Sequence, residues 1–189
     1  KHAQAALAIN PRFVPAHLLL ADLRMTERRC PQAVEAARAA LATNPNSIAA
    51  LATLAAAQLG AGDEAASRET QARITRLNPA PAVLHHVLGV WLSAARQFPQ
   101  AEEQFKKAVE FAPTWPEPRT ELGLLYLETG EEVEARQMLE ASFALDSFNS
   151  RTFIVLNLLD TLDKFRRIDT EHFVVKYDEE RDAVLAPLF

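Results

Sequence analysis

Hydrophobic side chains along most of this chain recur every three or four residues, which is the spacing of one face of an α-helix. A clear example lies between residues 150 and 165, where Phe153, Leu156, Leu159 and Leu162 share one face. Polar residues occupy the opposite side. The pattern therefore predicts a chain built almost entirely of amphipathic helices.

One segment near the end departs from this pattern. From about His172 to Tyr177, β-branched and aromatic residues follow one another closely, which predicts a short strand. A helical pattern resumes between Asp178 and Phe189. A lone strand leaves its backbone edges unpaired, so we expect it to lack a partner in this chain and to pair with a neighbouring molecule or a following domain.

A turn signal recurs every 34 residues and divides the helical part into equal units. Proline stands at positions 11, 45, 79 and 113, and Asp146-Ser147 holds the next turn position without proline. Positions where two helices must approach closely repeat with the same period and are small. These positions are Ala33, Ser67, Ala101 and Ala135. Such self-similarity predicts an all-α solenoid of stacked helix pairs.

The units resemble the tetratricopeptide repeat (TPR), and the agreement is best between Ala82 and Pro113. The small, aromatic and small positions typical of that family are Ala101, Phe105 and Ala108 here. The resemblance implies a right-handed superhelix of antiparallel helix pairs. It also implies a scaffold that binds proteins or peptides and performs no chemistry of its own.

The 34-residue register divides the chain into four parts. The predicted parts are 1–13 as the second helix of a truncated preceding repeat, 14–147 as four repeats (about 14–47, 48–81, 82–115 and 116–149), 148–167 as a capping helix, and 168–189 as a linker or the start of a following domain.

Charge and composition narrow the classes of partner. A net charge of −5 with no basic stripe argues against nucleic acid. No run of about 18 apolar residues could span a bilayer and the N-terminus lacks a signal-peptide layout, so no membrane is expected; the compartment is left open, with a slight preference for the cytoplasm. The single Cys30 cannot form an internal disulfide and is expected to be a half-exposed thiol without a role.

Catalytic and metal-binding motifs are missing from the sequence, so no enzyme activity, cofactor or metal is expected of this chain. His85 and His86 are adjacent and point about 100° apart on a helix, which prevents them from chelating one metal together. We expect His85 to pack between helices and His86 to point into a groove. Metal-dependent peptide hydrolysis by the purified chain would contradict this expectation.

The first helix of each TPR pair lines the concave surface, and the register predicts which residues lie there. They are Leu18, Asp22, Met25, Ala49, Ala52, Ala56, Leu59, Val83, His86, Val90, Ser93, Glu117, Thr120, Leu124 and Leu127. The set is mostly small and apolar, and it lacks the Lys, Arg and Asn residues with which chaperone-binding TPR proteins hold a terminal carboxylate. An acidic C-terminal peptide is therefore not the expected ligand.

Two interpretations of this surface stay open. It is either a hydrophobic peptide groove or a surface partly covered by the tight superhelix itself. If it is a groove, replacing Val90 or Leu124 by Glu weakens partner binding without unfolding the array. Residues 113–146 carry eight acids against two arginines, a balance of −6, which fits either a basic partner or a solvated helix face.

The C-terminal tail resembles the entry into the peptidase-MA-like (gluzincin) domain that follows TPR arrays in some bacterial proteins. The residues that carry the resemblance are Thr170, His172, Phe173, Val174, Val175 and Tyr177. It implies that the chain could recruit substrates for, or regulate, a zinc metallopeptidase whose ligands lie beyond residue 189. The partner is thus a protein, a peptide or an adjacent domain, and a dimer formed through the tail is a further possibility.

Overall fold

The computed structural model describes residues 2–182, which form eleven helices and one β-hairpin. Their bounds are α1 His2–Ile9, α2 Val14–Thr26, α3 Cys30–Thr43, α4 Ile48–Gly60, α5 Glu64–Leu77, α6 Ala82–Ala94, α7 Phe98–Phe111, α8 Glu117–Thr129, α9 Glu132–Leu145, α10 Ser150–Leu162, β1 Arg166–Asp169, β2 Val174–Tyr177 and α11 Glu179–Asp182. The all-α prediction is confirmed.

The helices begin where their sequence can satisfy the free backbone N–H groups. Ser47, Asp63 and Asn149 each accept a hydrogen bond from the backbone N–H three residues later, at the starts of α4, α5 and α10. Proline stands in the first turn of α2, α3, α7 and α8, where no intrahelical N–H is needed. The repeated turn residues therefore fix the helix boundaries.

Helices pack in consecutive pairs, α2 with α3, α4 with α5, α6 with α7 and α8 with α9. In the last two pairs a glycine of the first helix meets a large side chain of the second. A Cβ on Gly89 would lie 2.6 Å from the Phe105 ring, and one on Gly123 would lie 2.7 Å from Leu139 Cγ. The large and small positions interlock as the 34-residue register predicts.

Helix α4 is buried on all sides because it lies between two similar helices as well as against α5. It contacts α2 on one side and α6 on the other. Its alanine-rich sequence allows both neighbours to approach closely, and Ala50, Ala55 and Ala57 have no exposed surface. The first helices of three successive repeats therefore converge around α4.

Helix α10 is joined to the array through buried hydroxyl groups. The Thr120 hydroxyl lies 2.7 Å from the Ser142 hydroxyl and 3.1 Å from that of Thr152. Ser142 also donates to the carbonyl of Pro116 at 3.0 Å. These short polar side chains satisfy one another without water, so α8, α9 and α10 are held in one arrangement.

The face of α10 away from the array is less polar than expected for a capping helix. Ile154 and Leu158 are each more than half exposed there. One period earlier, Thr120 occupies the position of Ile154 and is buried against α10. This face therefore has the composition of a surface between two helices rather than one that faces water.

The predicted strand is present as β2, but the expectation that it has no partner in this chain is wrong. It pairs antiparallel with β1, and Ile168 lies opposite Val175. Thr170 closes the turn, since its N–H donates to the Phe173 carbonyl and its hydroxyl accepts from the Phe173 N–H. The Arg166–Asp169 segment gave no strand signal of its own because arginine and aspartate dilute it.

An ion pair between Lys176 of β2 and Glu132 of α9 connects the hairpin to the array. The helical continuation predicted for Asp178 to Phe189 is seen as α11, and the rest of it lies outside the described residues. Within residues 2–182, no helix has both the length and the hydropathy needed to cross a bilayer.

Candidate functional site

Three residues predicted for the concave surface lie inside the protein instead. Ala52 and Ala56 have no exposed surface, and Thr120 is 3% exposed. The two alanines are covered because α4 packs against both α2 and α6, and Thr120 is enclosed by its hydroxyl partners on α9 and α10. Their assignment to the binding surface is therefore wrong.

The convergence of α2 and α6 leaves a cavity between them of about 470 Å³. We call it the first cavity. Its lining combines apolar side chains with one carboxylate, one imidazole and one guanidinium. The lining residues are Asp22, Met25, Thr26, Arg28, His86, Val87, Val90, Trp91 and Ala94. Four of the predicted concave residues, Asp22, Met25, His86 and Val90, are brought together here.

Arg28 bridges the two helices at one end of the first cavity. Its guanidinium donates to the carbonyl of Ala94 at 3.0 Å and lies 5.9 Å from the centre of the Trp91 ring, a cation–π distance. Arg28 and Trp91 were not among the residues that the 34-residue register predicted for the concave surface. Arg28 lies in the turn after α2, with a left-handed φ of 60°, and only the folding of α6 across α2 brings its side chain to the groove.

Asp22 carries a carboxylate without a partner. Among residues 2–182 no cation lies within ion-pair distance of it, and its side chain takes part in no hydrogen bond; only its backbone carbonyl accepts one, from Thr26. Although its side chain is open to the groove, the surrounding protein raises the pKa of Asp22 by desolvation, and no neighbouring charge lowers it. The Asp22 carboxylate therefore faces the cavity with no ion pair and no hydrogen bond from the described residues.

His86 forms an aromatic wall of the same cavity. Its ring centre lies 4.7 Å from that of Trp115 and 6.2 Å from that of Phe105, and its buried Nδ1 has no hydrogen-bond partner among the described residues. Burial lowers the pKa of His86, an effect that the nearby charges of Glu121 and Glu117 oppose. The imidazole is consequently neutral at pH 7 and adds no positive charge to the groove.

A second cavity of about 370 Å³ continues the groove between α6 and α8. It shares Val90 and Ala94 with the first cavity and is more polar. Its carboxylate Glu121 is already paired, since Arg151 of α10 lies 2.5 Å from it. The full lining is Val90, Ser93, Ala94, Arg96, Glu121, Leu124, Leu125, Glu128 and Arg151.

The remaining predicted concave residues line neither cavity. Ala49 and Glu117 are exposed, whereas Leu18, Leu59, Val83 and Leu127 are half-buried. His85 lies away from the groove, where its Nδ1 is 2.7 Å from the Gln104 side-chain oxygen and its ring packs on Phe111.

The expectation that the Cys30 thiol is half-exposed is wrong, because the residue is only 4% exposed. The thiol lies against the end of α4, and a Cβ on Gly60 would come within 2.8 Å of it. Burial raises the pKa of the Cys30 thiol, although the nearby Arg28 charge acts in the opposite direction. The protonated thiol acts as a small core side chain.

Metal chemistry has no candidate site in the part of the chain that is described. No cluster of three or more His, Cys, Asp or Glu side chains within residues 2–182 could hold a metal ion.

Neither a protein-family model nor a curated protein sequence matches this chain. The chain is, however, similar in structure to solved proteins. The chain is similar to TTC0263, a thermophilic TPR protein of Thermus thermophilus, with a TM-score of 0.57 and 21% identity over 85% of this chain and 88% of that one. It is also similar to PilF of Pseudomonas aeruginosa, with a TM-score of 0.51 and 22% identity over 86% and 74%. The chain therefore has the fold of a TPR solenoid.

Proposed function

We propose that this chain is a non-catalytic interaction scaffold whose concave groove binds an extended segment of a partner protein. The observation that carries the proposal is the pair of adjoining cavities between α2, α6 and α8. Curved solenoids of this kind use an extended concave surface for binding. The similarity to solved TPR structures supports the fold on which the proposal rests.

The two cavities form one continuous path because Val90 and Ala94 line both of them. Val90 is 43% exposed although it is apolar and lies in the middle of a concave surface. Water in such a place is readily displaced by an apolar side chain of a ligand, which gains about 25 cal/mol for each Å² that is buried. An extended peptide offers side chains at a spacing that can enter successive cavities.

The test begins with a library of random dodecapeptides displayed on phage and selected on the purified protein. Selected peptides are synthesised, and their dissociation constants are measured by calorimetry with the natural sequence and with Val90→Arg. The arginine side chain fills both cavities from their shared wall, so we expect binding to weaken at least tenfold, which is about 1.4 kcal/mol.

Val133→Arg is the matched control. Val133 lies on α9, away from the groove, and is 67% exposed, so the same substitution leaves affinity unchanged there. Circular dichroism of both variants checks that the helices are intact. If both substitutions weaken binding equally, or neither does, the concave groove is not the binding surface. If selection yields no binding peptide, the scaffold function itself is contradicted.

The recruitment role that the tail resemblance implies stays a prediction, as does a dimer formed through the tail. The strand that carries the resemblance is formed at Val174–Tyr177, but the zinc ligands of that family are expected beyond residue 189. Sequencing of the coding region after Phe189 for a His-Glu-x-x-His motif would test the recruitment role.

A further inference from the structure

We propose that the first cavity is a specificity pocket for a cationic side chain, Lys or Arg, of a basic partner peptide, and that Asp22 is the residue that recognises it. This inference rests on the proposed function and names the chemistry of the ligand. It follows from the charges around the cavity, from the shape of its walls and from the contrast with the second cavity.

Asp22 is exposed to the groove, and its carboxylate has no protein partner among the described residues although the surrounding protein partly desolvates it. Charged groups that lose water are usually paired or hydrogen-bonded, since desolvation without compensation is costly. Within residues 2–182 the Asp22 side chain has neither kind of contact, and the only cause that shifts its pKa is desolvation. A ligand cation would supply the missing interaction.

The other charged groups of the pocket do not compete for this position. Arg28 is held at the far end by the Ala94 carbonyl and the Trp91 ring, and it does not contribute to the pKa shift of Asp22. His86 is kept neutral by burial. A cation that enters the pocket therefore meets one carboxylate without a protein partner, while the positive charge of Arg28 is held against Ala94 and Trp91 of α6.

The walls suit the aliphatic part of a long cationic side chain. Met25, Val87 and Val90 contribute apolar surface to the lining of the pocket. Lys and Arg side chains place their methylene groups along such surface while the charged group reaches a polar partner. A shorter cation would lose these contacts, and a neutral aliphatic side chain would lose the carboxylate.

The second cavity differs in charge from the first. There Glu121 is paired with Arg151 at 2.5 Å, and the other carboxylate of the lining, Glu128, is exposed on α8. Glu117 and Glu128 are exposed on α8 and form no ion pair within the described residues. They give the rest of the groove a negative rim, which favours a basic peptide over an acidic one.

The probe for the test is the capped tripeptide acetyl-Leu-Lys-Leu-amide, and its matched control carries norleucine in place of lysine. Binding is followed by NMR through the methyl resonances of Val87 and Val90 and the indole N–H of Trp91. We expect the lysine peptide to bind at least tenfold more tightly than the norleucine peptide. Asp22→Asn should abolish this difference.

Glu35→Gln serves as the control variant, because Glu35 is exposed on α3 and lines neither cavity, so the loss of its charge should preserve at least a fivefold preference for lysine. Equal binding of the two peptides to the natural protein would overturn the inference, as would a lysine preference that persists in Asp22→Asn. Absence of binding of the lysine peptide at about 50 mM would overturn it too. Peptides selected by phage display that depend on Val90 but not on Asp22 would leave the scaffold function standing and refute only this pocket.

Discussion

The two faces of helix α6 differ in how closely they are packed. On the face toward α7, Gly89 fits against the ring of Phe105 so closely that one added carbon would lie 2.6 Å from it. On the face toward the groove, His86 and Val90 border about 470 Å³ of open volume. The first face determines whether the helices pair, and the second leaves room for a partner. Substitutions on the two faces should therefore have separable effects.

The sequence shows the same contrast between the packing face and the groove face. On the packing face, position 105 and its equivalent 139 are large, and both side chains are fully buried against a glycine. On the groove face, the equivalents of Asp22 include Val90 and Leu124, which differ from it in size and in charge, whereas the equivalent Ala56 is buried. The third and fourth repeats keep this packing while their groove residues differ, which agrees with the proposal that the groove binds a partner.

The largest expected effect is that of Phe105→Ala. The Phe105 side chain is 1% exposed and fills the space beside Gly89. Its loss leaves a cavity that neighbouring repeats cannot fill, so the free energy of unfolding should fall by about 3–5 kcal/mol. Urea unfolding followed by circular dichroism at 222 nm measures this change.

Phe148→Ala is the control for that measurement, because Phe148 is 95% exposed in the turn after α9. It should change the free energy of unfolding by less than about 0.5 kcal/mol. Similar losses for the two variants would show that the packing between α6 and α7 is not as described.

Gly89→Ala should have a smaller effect on the free energy of unfolding, and the sign of this effect should depend on which residue stands at position 105. Alanine favours a helix interior by about 1 kcal/mol over glycine, but the added carbon meets the Phe105 ring, and overpacking costs about 1–3 kcal/mol. The net result in the natural protein is a loss of about 1 kcal/mol, the difference between these terms. When Phe105 is already alanine, the obstacle is gone and the same substitution should stabilise.

The double-mutant cycle of positions 89 and 105 measures this reversal by urea unfolding of the four proteins. If Gly89→Ala destabilises equally in both backgrounds, the cost comes from the helix itself rather than from the contact between α6 and α7.

Features that repeat could be predicted from the sequence. The prolines and small residues spaced by 34 gave the helix pairs and the TPR fold, because each repeat meets the same packing problem and solves it with the same residue types. The hairpin partner β1 could not be found in this way. It lies outside the register, and the pairing of Ile168 with Val175 depends on a turn that the propensity of either strand does not reveal.

Only part of the candidate site could be predicted from the sequence. The register placed Asp22, His86 and Val90 on the concave side, and these residues do line the first cavity. It could not show that α2 and α6 close over Ala52 and Ala56, because the degree of curvature depends on side-chain volumes summed over three repeats. Arg28 was missed for the same reason, since its contact with Ala94 spans 66 residues of sequence.

The smallest expected effect concerns Asp22 in the absence of a ligand. Desolvation raises the pKa of Asp22 in the folded state above its unfolded value. At pH values between the two, the folded protein binds more protons than the unfolded one, so the stability that depends on this residue falls as the pH rises. The contribution of Asp22 to stability is therefore least favourable at pH values above its pKa in the folded state, where the carboxylate is charged.

Asp22→Asn removes that charge, so it should leave the protein at pH 7 slightly more stable than the natural sequence, as expected for a residue that serves binding rather than folding. The gain should shrink as the pH falls toward 3.8, the usual pKa of aspartate, because the natural carboxyl group is then protonated as well. Urea midpoints of both proteins between about pH 4 and 7 test the trend. A loss of stability at pH 7 would mean that the Asp22 carboxylate already has a stabilising partner in the free protein, which would remove the central contrast between the groove and the packed face of α6.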